Sequence, residues 1–190
     1  MTKKHTKKEK KACTKASKKQ VFLTAALLFA IGSFLGWIFE FFVRGISEKH
    51  FYNPGFLHGP YLPIYGFGIV GLYAVGKLRL PIENKWLAVV VKVVIATVAL
   101  TTIEYVGGWI FIKKLGLRLW DYSDKKGNVQ GLICPLCSLV WAGFSAVYLL
   151  FFQPQVDKIE TKTDKRAVIP ASLVIFYSVL AMDLLFTLLG

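Results

Sequence analysis

Four apolar runs, at 21–43, 86–112, 133–152 and 168–189, are each long enough to cross about 30 Å of hydrocarbon as a helix. In that medium a chain must satisfy its own backbone hydrogen bonds, which leaves helices as the ready solution. A fifth apolar stretch breaks the pattern. The segment Asn53-Pro54-Gly55-Phe56-Leu57-His58-Gly59-Pro60-Tyr61-Leu62-Pro63-Ile64-Tyr65-Gly66 carries three prolines and three glycines. Proline removes a donor and clashes with the preceding helical turn, and glycine weakens a helix by roughly 1 kcal/mol relative to alanine. The spacing predicts irregular backbone at 53–66, covered by other helices or lining a watery cavity, then a glycine-spaced second span at 67–76. An ordinary loop before a kinked helix is the competing reading. Whether 53–76 crosses fully or re-enters stays open.

The fold class that follows is all-α, a polytopic transmembrane bundle of about five spans. Hydrophobic residues make up 55% of the chain and charged ones 18%, more apolar than a soluble domain. The net charge of +13 would suggest nucleic acid in a soluble protein, but here it is clustered. Residues 1–20 hold nine lysines and read as a disordered basic tail; 21–190 form one membrane domain. Lysine and arginine favour the tail and the loops at 77–85 and 153–167 over the loop at 44–55. By the positive-inside rule this predicts a cytoplasmic N-terminus, and the five basic residues at 113–132 run against it. The first apolar run exceeds a signal-peptide core and lacks a small-residue cleavage site, so it is read as retained. A multi-pass cell-membrane protein in contact with anionic lipid is expected, with no nucleic-acid partner.

Carboxylates inside apolar runs are the sharpest chemical signal, because charge at bilayer depth is costly and usually faces a bundle interior. Glu40 lies near the end of the first run, one turn after Trp37 and four residues before Arg44. Glu104 lies deeper, in a stripe of Thr97, Thr101, Glu104 and Gly108 on one helical face. A buried carboxylate there needs a partner, and His58, Lys92, Arg118 or a bound cation are the candidates. Asp183 is a third carboxylate, less clearly placed. Gly32 and Gly36 have the spacing that lets another helix approach closely. Lys92 is expected to extend its ammonium to the near interface, and the tryptophans other than Trp120 to sit at interfaces.

Cys134-Pro135-Leu136-Cys137 is a CxxC motif. It fits inert packing, a redox dithiol or a disulfide. A zinc site is poorly supported without a second Cys/His pair. Residues 71–78 match part of a phosphate-binding loop but end on leucine where serine or threonine would hold magnesium, and they follow no strand. No metal, cofactor or catalytic residue is assigned.

The order of several motifs resembles the CmpB-like family of ABC-transporter permeases (type IV). The residues are Gly36-Trp37-x-x-Glu40; Pro54-Gly55-Phe56-Leu57-x-Gly59-Pro60-x-x-Pro63-Ile64-Tyr65-Gly66; Glu104-Tyr105; Trp120-Asp121-Tyr122-Ser123; Asn128; and Ile133-Cys134. The likeness covers roughly residues 25–155. The family usually has arginine where Pro54 stands, and Cys137 lies outside its pattern. The resemblance implies a bacterial transport component working with a separate ATPase subunit; a bundle this small could also need a second copy of itself to enclose a path. The residues offered for a solute site or its motif are Trp37, Glu40, Gly55, Gly59, Pro60, Pro63, Tyr65, Gly66, Glu104, Trp120, Asp121 and Tyr122. Glu40, Tyr65, Glu104, Trp120 and Asp121 would line an outward-facing site for a small polar or cationic solute. A membrane enzyme acting on a lipid or thiol, and a non-catalytic scaffold, are the alternatives. No region is recognised as the coupling helix that grips an ATPase.

Overall fold

The computed structural model describes residues 16–163 and 168–189. The fold is all-α. Among the described residues six α-helices follow in order: α1 (Lys18–Ser47), α2 (Pro63–Lys77), α3 (Lys85–Ile110), α4 (Pro135–Val147), α5 (Gln153–Thr163) and α6 (Val168–Leu189). A π-helical turn at Phe111–Leu115 extends α3, and another at Tyr148–Phe152 joins α4 to α5 without a break. Four of the resulting rods are long and apolar enough to cross a membrane. The fifth expected span is the short α2, which at about 1.5 Å per residue falls below the hydrocarbon thickness on its own.

Local signals set the helix starts. Ser17 accepts from the Gln20 amide while the Gln20 side chain accepts from the Ser17 amide, a reciprocal cap that begins α1 at Lys18. Helix therefore replaces the last residues of the expected tail, whose first fifteen lie outside the described residues. Pro63 and Pro135 each open a helix, at the position where a missing N–H costs nothing. Asn84 caps α3 by accepting from Trp86 and Leu87. Gly116, at φ 67°, ends the π-helical extension of α3 in the left-handed region.

Within the expected irregular segment 53–66 only 53–62 is irregular; Pro63-Ile64-Tyr65-Gly66 are already helical. A larger departure concerns 153–167, expected as a charged loop. Residues 153–163 are helix. Pro154 has no N–H to give and its ring conflicts with the carbonyl four residues earlier. The wider π-helical turn at Tyr148–Phe152 lies immediately before it and carries the helix through.

Packing centres on α2, which lies against α1 on one side and α3 on the other, while α4 packs on α3. Leu72, Tyr73, Val75, Ala96, Leu100, Tyr148 and Leu149 form the buried core between α2, α3 and the α4–α5 junction. The Gly32–Gly36 spacing serves the α1–α2 contact. A Cβ on Gly36 would clash with the base of the Tyr65 side chain, and one on Gly66 would strike Ser33 and Phe29. At the same crossing the Leu62 amide donates to the Ser33 carbonyl of α1 over 2.9 Å. At the far end of α2 the Tyr73 hydroxyl donates to Glu160, and Lys77 donates to Asp157 at 2.7 Å and Glu160 at 2.5 Å. Lys92 donates to the Gly76 carbonyl over 2.6 Å.

Gly36→Leu should lower thermal stability by about 1–3 kcal/mol through overpacking, read as a fall in Tm in mild detergent. Gly143→Ala, where nothing lies within 4 Å of the added methyl, should leave Tm equal or slightly higher.

Candidate functional site

Two carboxylates from different helices enter one polar cluster at the end of the bundle that holds the irregular segment. Glu40 of α1 accepts from the Tyr65 hydroxyl at 2.6 Å and from Arg44 at 3.0 Å. Glu104 of α3 is 5% exposed. It accepts from the Tyr122 hydroxyl and from the Trp141 indole, each at 3.1 Å. The Tyr65 and Trp141 rings lie 6.0 Å apart and join the two halves. Burial pushes the Tyr122 phenol above its ordinary range, and the negative charges of Glu104 and Glu40 add to the shift. Arg44, Glu40, Tyr65, Trp141, Glu104 and Tyr122 thus form one network supplied by α1, α2, α3, α4 and the loop before α4.

The partners of Glu104 differ from those expected. His58 turns to Asp183, Lys92 to Gly76 and Arg118 to Asp121. Neutral donors, a phenol and an indole, hold Glu104 instead. Trp141, expected at an interface, is one of them. The polar stripe of α3 is also taken up internally. Thr97 donates to Val93 of its own helix, Thr101 donates to Ser138 of α4, and Gly108 lies under Leu132 and Trp120.

Trp120 and Asp121 stand apart from the carboxylate cluster. The Trp120 indole donates to the Leu132 carbonyl at 2.9 Å. Asp121 accepts from the Ser123 amide at 2.9 Å and hydroxyl at 2.5 Å, and from Arg118 at 2.9 Å. The Ser123 hydrogen bonds, and then Arg118, hold its carboxyl below the ordinary range. Both residues shape the 116–134 loop.

Two side chains organise 53–62, and neither was among the expected site residues. Asn53 accepts from Trp37 at 2.8 Å and from the Gly55 amide at 3.1 Å. Its amide donates to the carbonyls of Leu57 at 2.8 Å and His58 at 3.1 Å. Asp183 of α6 accepts from the Gly59 amide at 2.8 Å, the His58 amide at 3.2 Å and the Tyr61 hydroxyl at 2.5 Å. The His58 imidazole Nδ1 sits 2.9 Å from the same carboxylate. Gly55 and Gly59 therefore offer amides to these two anchors, Pro60 is an exposed corner, and Pro63 and Gly66 begin α2. An asparagine before Pro-Gly is a turn-forming residue, and a carboxylate in an apolar run calls for a partner; those were the available signals.

Two apolar cavities flank α2. The first, about 390 Å³, lies between α1, α2 and α4 and is lined by Leu35, Phe39, Leu72, Phe144 and Val147, with Tyr65 and Trp141 among its walls. Leu35, Phe39, Phe144 and Val147 are between 43% and 55% exposed, so it opens sideways between α1 and α4. The second, about 380 Å³, is bounded by Phe56, Leu57, Phe67, Ile103, Trp120 and Leu184. Neither is lined by charge.

A helical bundle whose described residues include four helices long and apolar enough to cross a membrane defines a multi-pass membrane protein. Residues 27–188 match the family described as putative ABC-transporter type IV, and the chain belongs to that family. The match runs from α1 through α6 and so takes in Asp183. No curated protein and no solved structure matches the chain.

Asp183→Ala should strand the Gly59 amide and the Tyr61 hydroxyl, at about 1–3 kcal/mol for each buried group left unpaired. Hydrogen exchange by mass spectrometry is expected to speed up over 57–61 while α3 and α4 keep wild-type protection. Unchanged exchange at 57–61 would show that Asp183 does not anchor the segment.

Proposed function

We propose that this chain is the membrane-embedded component of a transporter powered by a separate ATPase subunit, and that its solute site is the Glu40–Tyr65–Trp141–Glu104 cluster at the edge of the first cavity. Family membership supports the transport role. The observation that carries the site is the convergence of Glu40 and Glu104 on one aromatic bridge beside an apolar cavity. Ionisable side chains within membrane-spanning segments commonly mark solute or ion pathways.

The lining favours an amphipathic solute over the small polar one expected from the carboxylates alone. An apolar body would occupy the space beside Leu35, Phe39 and Phe144. A cationic or hydroxylated head would meet Glu40 and Glu104 and compete with their Arg44, Tyr65, Tyr122 and Trp141 partners. The sideways opening between α1 and α4 gives such a solute a route from the lipid phase. With the N-terminus in the cytoplasm, the cluster lies toward the outer leaflet. The Lys77–Asp157–Glu160 network and α5 then lie on the ATPase side.

Copurification in mild detergent followed by mass spectrometry should recover an ATPase; a lipid-modifying activity with no ATPase would replace this reading. In nanodiscs, long-chain alkylamines should raise the Tm of the wild type in a concentration-dependent way. Glu104→Gln should lose most of that shift, and Tyr65→Phe should weaken it. Equal shifts in wild type and Glu104→Gln would place the solute elsewhere.

A further inference from the structure

The Cys134–Cys137 pair plays no part in the carboxylate cluster. Cys134 is the cap residue of α4 and Cys137 lies one turn in, and the two sulfurs are joined in a disulfide. The positions differ in access. Cys134 is 2% exposed, whereas Cys137 is part-exposed beside an open flank formed by Pro135 and Leu136. The Cys137 amide donates to the Cys134 sulfur at 3.1 Å. Negative charge arriving on Cys134 would meet that N–H and the positive end of a helix that runs on into α5. The loop that leads into Cys134 is braced independently of the bridge, by Tyr122 to Gly131 at 2.8 Å and Val129 to Ile133 at 3.0 Å.

We propose that Cys134–Cys137 is an exchange-competent redox pair, with Cys137 the sulfur that is attacked and Cys134 the leaving thiolate; its substrate class is a dithiol. One thiolate of an external dithiol attacks the Cys137 sulfur in line with the bridge. A bond forms between the dithiol and Cys137, the Cys134–Cys137 bond breaks, and its electron pair leaves on Cys134 beside the Cys137 amide. The second thiolate of the dithiol then attacks its own sulfur in the mixed disulfide and releases Cys137. The dithiol loses two electrons and becomes a disulfide, and the pair gains two electrons and two protons. The reverse sequence reoxidises the pair at the expense of a disulfide partner. The two sulfurs are non-equivalent because the fold buries one and leaves the other reachable, which a bridge serving only to staple the helix start would not require.

The test uses the full chain in nanodiscs with Cys13→Ser as background, so that only the pair reports. Intact mass after alkylation is followed across glutathione and dithiothreitol redox buffers. The expected result is a single reversible two-electron transition in the folded protein. With Cys134→Ser, Cys137 should form a mixed disulfide with glutathione under native conditions. With Cys137→Ser, Cys134 should resist both glutathione and maleimide until the protein is unfolded. A pair that dithiothreitol cannot reduce without loss of the native Tm would overturn the proposal, as would free thiols at every buffer ratio. Equal reactivity of the two single-cysteine variants would overturn the assignment of roles.

Discussion

Between 53 and 62 the chain leaves helical geometry beside apolar helices, and its buried N–H and C=O groups must find partners away from water. Asn53 and Asp183 supply much of what is needed. Asn53 uses both ends of its amide on its own loop and on Trp37. Asp183 collects two successive amides and a phenol from across the bundle. Because Asp183 is borne by α6, the last helix is tied to the segment that opens α2. Closure of the loop and placement of α6 are thus one event.

The carboxylate cluster depends on that closure. Tyr65 reaches Glu40 because α2 begins at Pro63, and α2 can lie against α1 because Gly32, Gly36 and Gly66 leave room. The other half hangs on the 116–134 loop, which delivers Tyr122, and on α4, which delivers Trp141. Small residues and a well-bonded loop hold two acids near each other without a buried lysine between them. Arg44, on the helix of Glu40 itself, is the nearby cation.

Much of the fold was legible because hydrocarbon permits few solutions. The long runs, the break at 53–62 and the small-residue crossing follow from apolar length and from proline and glycine chemistry. Glu40 and Glu104 were legible as polar groups where charge is costly. Of their partners only Arg44, one turn on from Glu40, was legible; the others were not, since a phenol and an indole look the same in sequence whether they face lipid or an acid. Trp141 shows this most plainly. Asp183 was visible but unplaced, because its ligands are backbone amides more than a hundred residues away in sequence. The polar stretch after Phe152 looked like a loop on composition. Its helical periodicity emerges only when Gln153, Asp157 and Glu160 are set against Lys77 and Tyr73.

The widened turn at Tyr148–Phe152 does more than carry the helix past Pro154. A turn that takes in one extra residue rotates everything beyond it by about 100° relative to an uninterrupted α-helix. That rotation decides the compass bearing of Asp157 and Glu160. With it Glu160 is buried and Asp157 reaches Lys77 at the foot of α2; in an unbroken rod the same two acids would be turned about the axis away from Lys77. The irregularity is thus a phase adjuster between two segments with different tasks, one immersed in lipid and one bearing the ion pairs that clasp Lys77.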